Sequence, residues 1–138
     1  MQAPVLNGLA SVDEPAAKWS KLRGKRILLA EDQPSVREAV SLLLSLDEHT
    51  VIEASNGVEA LELFRQDQFD LVITDFEMPK MKGNELAARI KQRCPTQPIL
   101  MITAYAEKLG NSGNPVDTIL DKPFQLEDLR RAMAKLLS

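Results

Sequence analysis

The stretch of sequence that decides the fold reads Leu71-Val72-Ile73-Thr74-Asp75-Phe76-Glu77-Met78-Pro79-Lys80-Met81-Lys82-Gly83. It begins with a short apolar run that predicts a buried strand. Asp75 follows the run and precedes a segment with Pro79 and Gly83, which indicates a loop. A carboxylate at this junction lies at the edge of the core, where it can act as a nucleophile or bind a hard metal ion. Taken alone, the position is more typical of a turn former or helix cap, so its surroundings decide the question.

Outward from Asp75, the chain alternates between apolar runs and amphipathic helical patterns. We predict strands at residues 26–30, 50–54, 71–74, 99–103 and 116–120, and helices at residues 34–46, 57–66, 84–93 and 126–137. Pro34 suits the start of the first helix, and Gly83 or Asn84 is the predicted N-cap of the third. This alternation predicts an α/β fold with a doubly wound, five-stranded parallel sheet that helices cover on both faces.

Composition excludes several classes of function. The 138 residues, 44% hydrophobic and 27% charged, suit one ordinary globular domain. A net charge of −3 gives no general attraction to nucleic acid or anionic membranes, so we expect no direct nucleic-acid binding. The sequence shows no secretory signal pattern and no apolar stretch of membrane-spanning length, so we expect no membrane span.

Cysteine and histidine each occur once, which limits redox and metal chemistry. Cys94 cannot form an intrachain disulfide, so we expect a cytoplasmic location and an inert thiol at a helix end. His49 has no partner at metal-binding spacing and is predicted to be a solvated loop residue. Residues 1–24 are rich in Ala, Pro, Ser and Asn, and we predict a flexible N-terminal extension or linker in which Trp19 packs locally.

Polar residues collect at one end of the predicted strands. The first strand is followed by Glu31 and Asp32, the third by Asp75, the fourth ends in Thr103 and the fifth leads to Lys122. Ligands of doubly wound sheets bind beyond the carboxyl ends of the strands, which is where these residues lie. Simple alternatives exist for each one: the acidic pair could cap a helix, and Lys122 could be a solvated charge. All five would have to coincide at one end of one sheet.

The chemistry of this group points to a metal ion and an anion. Converging carboxylates repel one another and raise one another's pKa, unless a cation lies among them. Oxygen ligands suit Mg²⁺ better than zinc. Lys122 and Thr103 suit a phosphoryl group, so the set predicts phosphoryl transfer to an aspartate. Pro123 directly after Lys122 suggests a cis peptide bond there.

Residues 25–138 resemble a response-regulator receiver domain of bacterial two-component signalling. The matching pieces are Ile27-Leu28-Leu29-Ala30-Glu31-Asp32, Asp75-Phe76-Glu77-Met78-Pro79 with Gly83, Thr103-Ala104 and Lys122-Pro123-Phe124. The resemblance implies a flavodoxin-like receiver fold over residues 25–138. It also implies a signalling domain, not a conventional enzyme, that assists its own phosphorylation and dephosphorylation.

The resemblance further implies a role for each site residue. Asp75 would accept a phosphoryl group from a histidine kinase or histidine phosphotransfer protein and switch the binding of an unknown downstream protein. Mg²⁺ would be held by Asp32, Asp75 and the backbone carbonyl of Glu77, with Glu31 acting through water. Lys122 would neutralise the phosphoryl oxygens, and Thr103 and the backbone amide of Ala104 would bind them.

The sequence departs from the family pattern at three places. Ile119 stands where family members often carry an aromatic switch residue, for which Tyr105 is a candidate substitute. Glycines, asparagines and a proline in residues 108–115 oppose a helix, so we predict a short or irregular fourth helix between the last two strands. Glu77 and Tyr105 occupy positions that border the phosphoryl group in this family.

Several identities remain open on sequence alone. The chain could be a stand-alone regulator or the receiver module of a hybrid kinase. One alternative is a receiver-like interaction module that is not phosphorylated. A less favoured alternative is an aspartyl-phosphate phosphohydrolase of the haloacid dehalogenase type, which places its nucleophile after the first strand.

Overall fold

A computed structural model describes residues 22–104, 106 and 115–137. In these ranges the elements are β1 (Arg26–Ala30), α1 (Pro34–Ser45), β2 (Thr50–Ala54), α2 (Gly57–Gln66), β3 (Leu71–Asp75), α3 (Gly83–Arg93), β4 (Ile99–Thr103), β5 (Thr118–Asp121) and α4 (Leu126–Leu137). All strand pairs are parallel, and the strand order is β2-β1-β3-β4-β5. The chain adds β2 on one side of β1 and β3 to β5 on the other, so the order of connection switches between β1 and β3. The predicted five-stranded, doubly wound parallel sheet is confirmed.

The three central strands are almost completely buried, as their continuous apolar sequences predict. In β4 every residue is buried, and in β1 and β3 four of five residues are. Side chains from α2 and α3, including Leu61, Leu86 and Ile90, form a core on one face. Side chains from α1 and α4, including Leu44 and Leu129, form a second core on the other face. The edge strands β2 and β5 are only partly covered.

Several predicted boundaries differ from the structure by one or two residues. Asp75 is the last residue of β3, where the sequence placed it just after the strand. The predicted N-cap at Gly83 or Asn84 is wrong, because Lys82 is the cap residue and its side chain makes no capping bond. Strand β5 begins at Thr118, not at Val116. Asp117, just before it, uses its carboxylate to accept hydrogen bonds from Lys91 Nζ and the Ile99 amide, both at 2.8 Å.

The amino end of the sheet, opposite Asp75, contains a network of polar side chains. His49 is buried, which corrects the prediction of a solvated histidine, and its Nδ1 atom accepts a hydrogen bond from the Lys25 amide at 3.0 Å. Burial lowers the pKa of His49, although the nearby Asp47 carboxylate opposes the shift. Arg130 of α4 donates two hydrogen bonds to Asp47, at 2.8 and 2.7 Å, and they lower the pKa of Asp47.

Residues 22–24, the last part of the predicted N-terminal extension, are described, and Gly24 contacts this network. Leu22 is buried, and the Gly24 amide donates to the Asp47 carbonyl at 3.2 Å. The rest of the predicted extension, residues 1–21 with Trp19, lies outside the described residues. The irregular helix predicted between β4 and β5, over residues 108–115, also lies outside them except for Pro115, as does Tyr105. Among the described helices, none combines the length and the apolar character that crossing a membrane requires.

Candidate functional site

An acidic cluster lies at the carboxyl end of the sheet, where the strand order reverses. Glu31 and Asp32 follow β1, and Asp75 ends the neighbouring strand β3. Each of these residues offers one carboxylate oxygen, and the three oxygens all lie within 4.8 Å of one another. Oxygen donors alone, at this spacing, suit a hard cation such as Mg²⁺ and do not suit a soft metal. The three predicted carboxylates are therefore brought together by the topology, and together they could hold a metal ion.

Lys122 supplies a positive charge to the same cluster. Its Nζ atom lies 3.4 Å from Oε1 of Glu31 and 3.6 Å from Oδ1 of Asp75. The Glu31 and Asp75 side chains are 5% and 12% exposed, so these ion pairs are shielded from solvent. Shielding strengthens charge interactions relative to those at the surface. The lysine that the sequence placed after β5 thus reaches both the first and the third strand.

The carboxyl groups of Asp75 and Glu31 both have a raised pKa. Burial is the largest cause at Asp75, where the negative charge of Asp32 adds to it and Lys122 opposes it. At Glu31 burial is again the largest cause, and Asp75 contributes, while the Gln33 amide and Lys122 oppose the shift. The mutual repulsion that the sequence predicted is present, but loss of solvent contributes more to the shift. A bound cation would favour the charged carboxylates and so lower both pKa values.

The loop after β3 holds Asp75 in place through its own backbone. The Phe76 amide donates to Oδ1 of Asp75 at 2.8 Å, and the Thr74 hydroxyl donates to the Asp75 carbonyl at 2.8 Å. The Gly83 amide donates to the Phe76 carbonyl at 2.9 Å, which brings the first turn of α3 against the end of β3. Glycine is needed there, since a Cβ atom on residue 83 would clash with the Asp75 backbone.

Thr103 and Lys122 are linked through the backbone. Thr103 is buried at the end of β4, one residue beyond Ile102, which is in register with Asp75. Its carbonyl accepts a hydrogen bond from the Lys122 amide at 3.0 Å. Ala104 follows and is exposed beside Lys122, in a groove of about 550 Å³ between α1 and the β5–α4 loop. The Lys122–Pro123 peptide bond is cis, as the sequence suggested.

Two other predicted residues lie at the rim. The Glu77 side chain is 54% exposed and pairs with Lys82 at 3.5 Å, so it is directed to solvent and not to the acidic cluster. Ile119 is half-buried in β5 and lines a shallow surface depression with Arg131 and Lys135 of α4. No aromatic residue occupies the Ile119 position, which is the departure that the sequence indicated.

Sequence reasoning missed two groups that contact Glu31, in the loop after β1. The Gln33 amide donates to Oε2 of Glu31 at 3.1 Å, and an Nη1 hydrogen of Arg37 is donated to the Glu31 carbonyl at 2.7 Å. A backbone amide carries no signal in a sequence pattern. Arg37 lies six positions after Glu31, on a helix face that periodicity assigns to solvent, so its type and spacing gave no indication of this contact.

Comparisons with known proteins agree with this geometry. The family model described as the response regulator receiver domain matches residues 27–134. The receiver protein CpdR of Brucella abortus is 39% identical over 116 residues, which are 82% of this chain and 97% of CpdR. MprA of Mycobacterium ulcerans is 36% identical over 115 residues, or 81% of this chain. The chain spans about half the length of the MprA relatives that it matches, because the alignment covers 50% of MprA.

Solved structures show the same fold. The response regulator TrrA of Thermotoga maritima, solved in complex with Mg²⁺-BeF, has a TM-score of 0.76 and 35% sequence identity, with coverage of 82% of this chain and 99% of TrrA. The receiver domain of the sensor kinase PA1611 of Pseudomonas aeruginosa has a TM-score of 0.77 at 23% identity, covers 83% and 98% of the two chains, and supports the fold alone. The sheet is therefore that of a flavodoxin-like receiver. With its family match over residues 27–134, this chain belongs to the response regulator receiver domain family.

Proposed function

We propose that this protein is a phosphoacceptor signalling domain in which Asp75 receives a phosphoryl group. The observation that carries the proposal is the position of the Asp75 carboxylate, 3.6 Å from Lys122 Nζ and within 4.8 Å of two further carboxylates. A nucleophilic oxygen, a place for a divalent cation and a fixed ammonium group are what phosphoryl transfer to a carboxylate requires.

The proposed donor is a phosphohistidine of a histidine kinase or of a histidine phosphotransfer protein. A carboxylate oxygen of Asp75 attacks phosphorus, the P–O bond forms, and the P–N bond to the imidazole breaks. The electron pair of that bond stays on the imidazole nitrogen, and the product is an acyl phosphate. Lys122 neutralises charge on the phosphoryl oxygens, and Thr103 and the Ala104 amide provide hydrogen-bond donors beside them.

The proposed cofactor is Mg²⁺. Asp32, Asp75 and the backbone carbonyl of Glu77 would hold it, with Glu31 acting through water. When bound, it neutralises negative charge on the carboxylates and on the incoming phosphoryl group. The protein itself contributes the fixed positions: the Phe76 amide orients the Asp75 carboxylate, and the Gln33 amide orients that of Glu31.

The proposed output is a change in the binding of a downstream protein. Phosphorylation adds negative charge next to Lys122, whose amide is bonded to the Thr103 carbonyl. A shift of Lys122 towards the phosphoryl group would therefore move the ends of β4 and β5 together. With Ile119 in place of an aromatic residue, we propose that the signal leaves through this backbone link and through Ala104, which is exposed directly after Thr103. The net charge of −3 favours a protein partner over nucleic acid.

Phosphorylation by acetyl phosphate tests the proposal. The protein is incubated with acetyl phosphate and Mg²⁺, and its intact mass is compared with that of Asp75→Asn and Asp121→Asn. Asp121 is a matched control, because it is an exposed aspartate at the carboxyl end of β5, the same end of the sheet as Asp75. We expect one Mg²⁺-dependent phosphoryl adduct in the wild type and in Asp121→Asn, and none in Asp75→Asn.

Two other outcomes separate the alternatives. Absence of an adduct, with beryllofluoride and Mg²⁺ also failing to bind, would favour the interaction module that is not phosphorylated. Rapid turnover of a phosphomonoester would favour the phosphohydrolase of the haloacid dehalogenase type. The position of Asp75 at the end of the third strand, not the first, argues against that enzyme class.

A further inference from the structure

Arg37, in the first turn of α1, makes contacts in two directions. One Nη1 hydrogen is donated to the Glu31 carbonyl at 2.7 Å, and the Nε hydrogen is donated to Oε1 of Glu53 at 3.1 Å. The Arg37 side chain is 19% exposed, so it is largely covered, whereas that of Glu53 is 44% exposed. One guanidinium therefore joins three parts of the protein: α1, the loop after β1 and the edge strand β2.

Glu53 is itself held from two sides. Its second oxygen, Oε2, accepts a hydrogen bond from the Ser41 hydroxyl at 3.1 Å, one turn further along α1 than Arg37. Its backbone is fixed in β2, where Glu53 is in register with Leu29 of β1. The carboxylate is thus a fixed anchor for the guanidinium, which directs the Arg37 fork towards the Glu31 carbonyl.

The Glu31 carbonyl belongs to the peptide group that joins Glu31 to Asp32. On its amino side, the Glu31 amide donates to the Ala54 carbonyl at 3.0 Å, which extends the β1–β2 pairing by one residue. Beyond that bond the chain leaves the sheet and enters the loop before α1. The orientation of the Glu31–Asp32 peptide sets the direction of the Asp32 side chain. A charge-assisted bond to its carbonyl, at 2.7 Å, is well placed to fix that orientation.

We propose that Arg37 is a positioning residue for divalent-cation binding: by holding the Glu31 carbonyl, it keeps the carboxylates of Glu31 and Asp32 converged on Asp75. This inference rests on the proposed function of the acidic cluster as a Mg²⁺ site. Groups that orient metal ligands commonly contribute about 10- to 100-fold to metal affinity. The contact that Arg37 makes with the loop after β1 is to the Glu31 carbonyl, so the proposed effect is exerted through the backbone.

The competing explanation is that Arg37 and Glu53 form only a stabilising ion pair. Pairs near the surface typically contribute about 0–1 kcal/mol, and losing one would change stability without changing metal affinity. The two explanations therefore differ in the property that a substitution alters. Arg37→Met removes both contacts, whereas Glu53→Gln removes the anchor charge but leaves the bond from Arg37 to the Glu31 carbonyl available.

The test measures Mg²⁺ affinity from amide chemical shifts in ¹⁵N-labelled protein, and amide hydrogen exchange at Asp32 and Gln33 in metal-free protein. We expect Arg37→Met to weaken Mg²⁺ binding by about tenfold or more, and to accelerate exchange at those two amides. Arg37→Lys keeps a positively charged side chain, but one ammonium group can reach only the Glu31 carbonyl or the Glu53 carboxylate. We expect this variant to bind Mg²⁺ more tightly than Arg37→Met and more weakly than the wild type. Glu53→Gln should reduce affinity less than Arg37→Met does.

Arg89→Met is the matched control, because Arg89 forms an exposed pair with Glu85 on α3 at 3.0 Å. We expect it to bind Mg²⁺ within about twofold of the wild type, since such pairs contribute little. Wild-type affinity in Arg37→Met, with unchanged exchange at Asp32 and Gln33, would overturn the proposal. If Arg37→Met does not fold, Arg37→Lys decides: wild-type affinity and exchange in that variant would also overturn it. Failure of the wild type itself to bind Mg²⁺ would instead contradict the proposed function.

Discussion

A β-carbon on Gly83 would lie 2.0 Å from the carbonyl oxygen of Asp75, far inside the contact distance of two such atoms. The next nearest atoms, the Asp75 carbonyl carbon at 3.0 Å and the Phe76 Cα at 3.1 Å, also belong to the backbone, so no side chain can rotate away. The first turn of α3 therefore packs directly on the backbone of the proposed phosphoacceptor. The identity of residue 83 determines how closely that turn can approach.

We predict that Gly83→Ala destabilises the fold by about 1–3 kcal/mol, the usual cost of overpacking, and displaces the Asp75 loop. The measurement is urea denaturation, together with phosphorylation by acetyl phosphate. Asn84→Ala is the control, because Asn84 is the next residue in the helix and is exposed. It should remain within about 0.5 kcal/mol of the wild type. Equal stability of the two variants would contradict the prediction, because it would show that the loop after β3 can move away from residue 83 at no cost in free energy.

We predict that Lys122→Met has opposite effects on two activities of the site. The ammonium group competes with a cation, because it lies 3.4 Å from Glu31 and 3.6 Å from Asp75. A unit charge pair at 4 Å is worth about 1 kcal/mol even in bulk water, so its removal should tighten Mg²⁺ binding about fivefold or more. The rate of phosphorylation should fall by about 100-fold, as when a fixed charge-stabilising group is removed.

The control for Lys122→Met is Lys82→Met, which removes an exposed lysine that pairs with Glu77 at 3.5 Å. Both Mg²⁺ affinity and phosphorylation rate should change by less than about twofold in this variant, as for other exposed pairs. If Lys122→Met bound Mg²⁺ more weakly than the wild type, the lysine would be organising the carboxylates and not competing for them.

We predict that His49 makes the protein less stable in mild acid. Burial holds its pKa below the ordinary value of 6.5, so the unfolded chain takes up a proton at a higher pH than the folded protein does. Stability from this group is complete above pH 6.5 and is lost as pH falls from that value to the lower pKa of the folded state. The charged groups near His49 are Asp47, Lys25, Arg23 and Asp70. Burial lowers the pKa of His49 more than any of these charges changes it.

His49→Asn tests this prediction, since an asparagine oxygen can accept the Lys25 amide hydrogen as Nδ1 does but cannot titrate. Unfolding free energies at about pH 7.5 and about pH 5.5 should differ less in the variant than in the wild type. His49 is the single histidine, so its imidazole resonances in untagged protein report its pKa directly. A measured pKa at or above 6.5 would contradict the prediction.

We predict that the Arg130–Asp47 pair stabilises the fold measurably. Its two hydrogen bonds are 2.8 and 2.7 Å long, and the side chains are 17% and 10% exposed. Arg130→Met should cost about 1.5–3 kcal/mol, the range for hydrogen bonds to charged groups, and a double-mutant cycle with Asp47→Asn isolates the coupling. The adjacent Arg131 is 62% exposed and pairs with Glu127 at 3.9 Å. Arg131→Met should therefore cost less than about 0.5 kcal/mol.

The pH dependence of this pair has the same sign as that of His49. The bonds from Arg130 lower the pKa of Asp47 below its ordinary value of 3.8. The stability that the pair provides is therefore present above pH 3.8 and is lost as pH falls through the lower pKa of the folded state. Acid denaturation of Arg130→Met should lack this component.

Most of the fold was predictable because buried parallel strands have a plain sequence signature. Continuous apolar runs located β1, β3 and β4, and the rule that ligands bind at carboxyl ends then brought Glu31, Asp32 and Asp75 together. Strand β5 was placed two residues early because Val116 and Asp117 look like its continuation. The Asp117 carboxylate instead bonds to Lys91 and the Ile99 amide, a tertiary contact that local pattern cannot show.

The features that sequence could not supply depend on where a group points. His49 looked solvated because it follows a helix among charged residues, yet its ring turns inward to the Lys25 amide. Arg37 looked like a surface helix residue, yet its side chain turns back to the Glu31 carbonyl. Residue type and spacing determine which side of a helix a residue occupies, but not which distant backbone atom it reaches.

The Arg130–Asp47 pair gives the two ends of the sheet different mechanical roles. It joins α4 to the turn between α1 and β2, at the end of the sheet opposite Asp75, which we call the base. At the opposite end, which we call the rim, separate loops meet around three carboxylates whose mutual repulsion Lys122 opposes. Under the proposed function, we therefore expect charge added at Asp75 to displace the loops of the rim and to leave the base unchanged. A partner that distinguishes the phosphorylated form should therefore bind at the rim, whereas a spectroscopic probe attached at the base should report no change on phosphorylation.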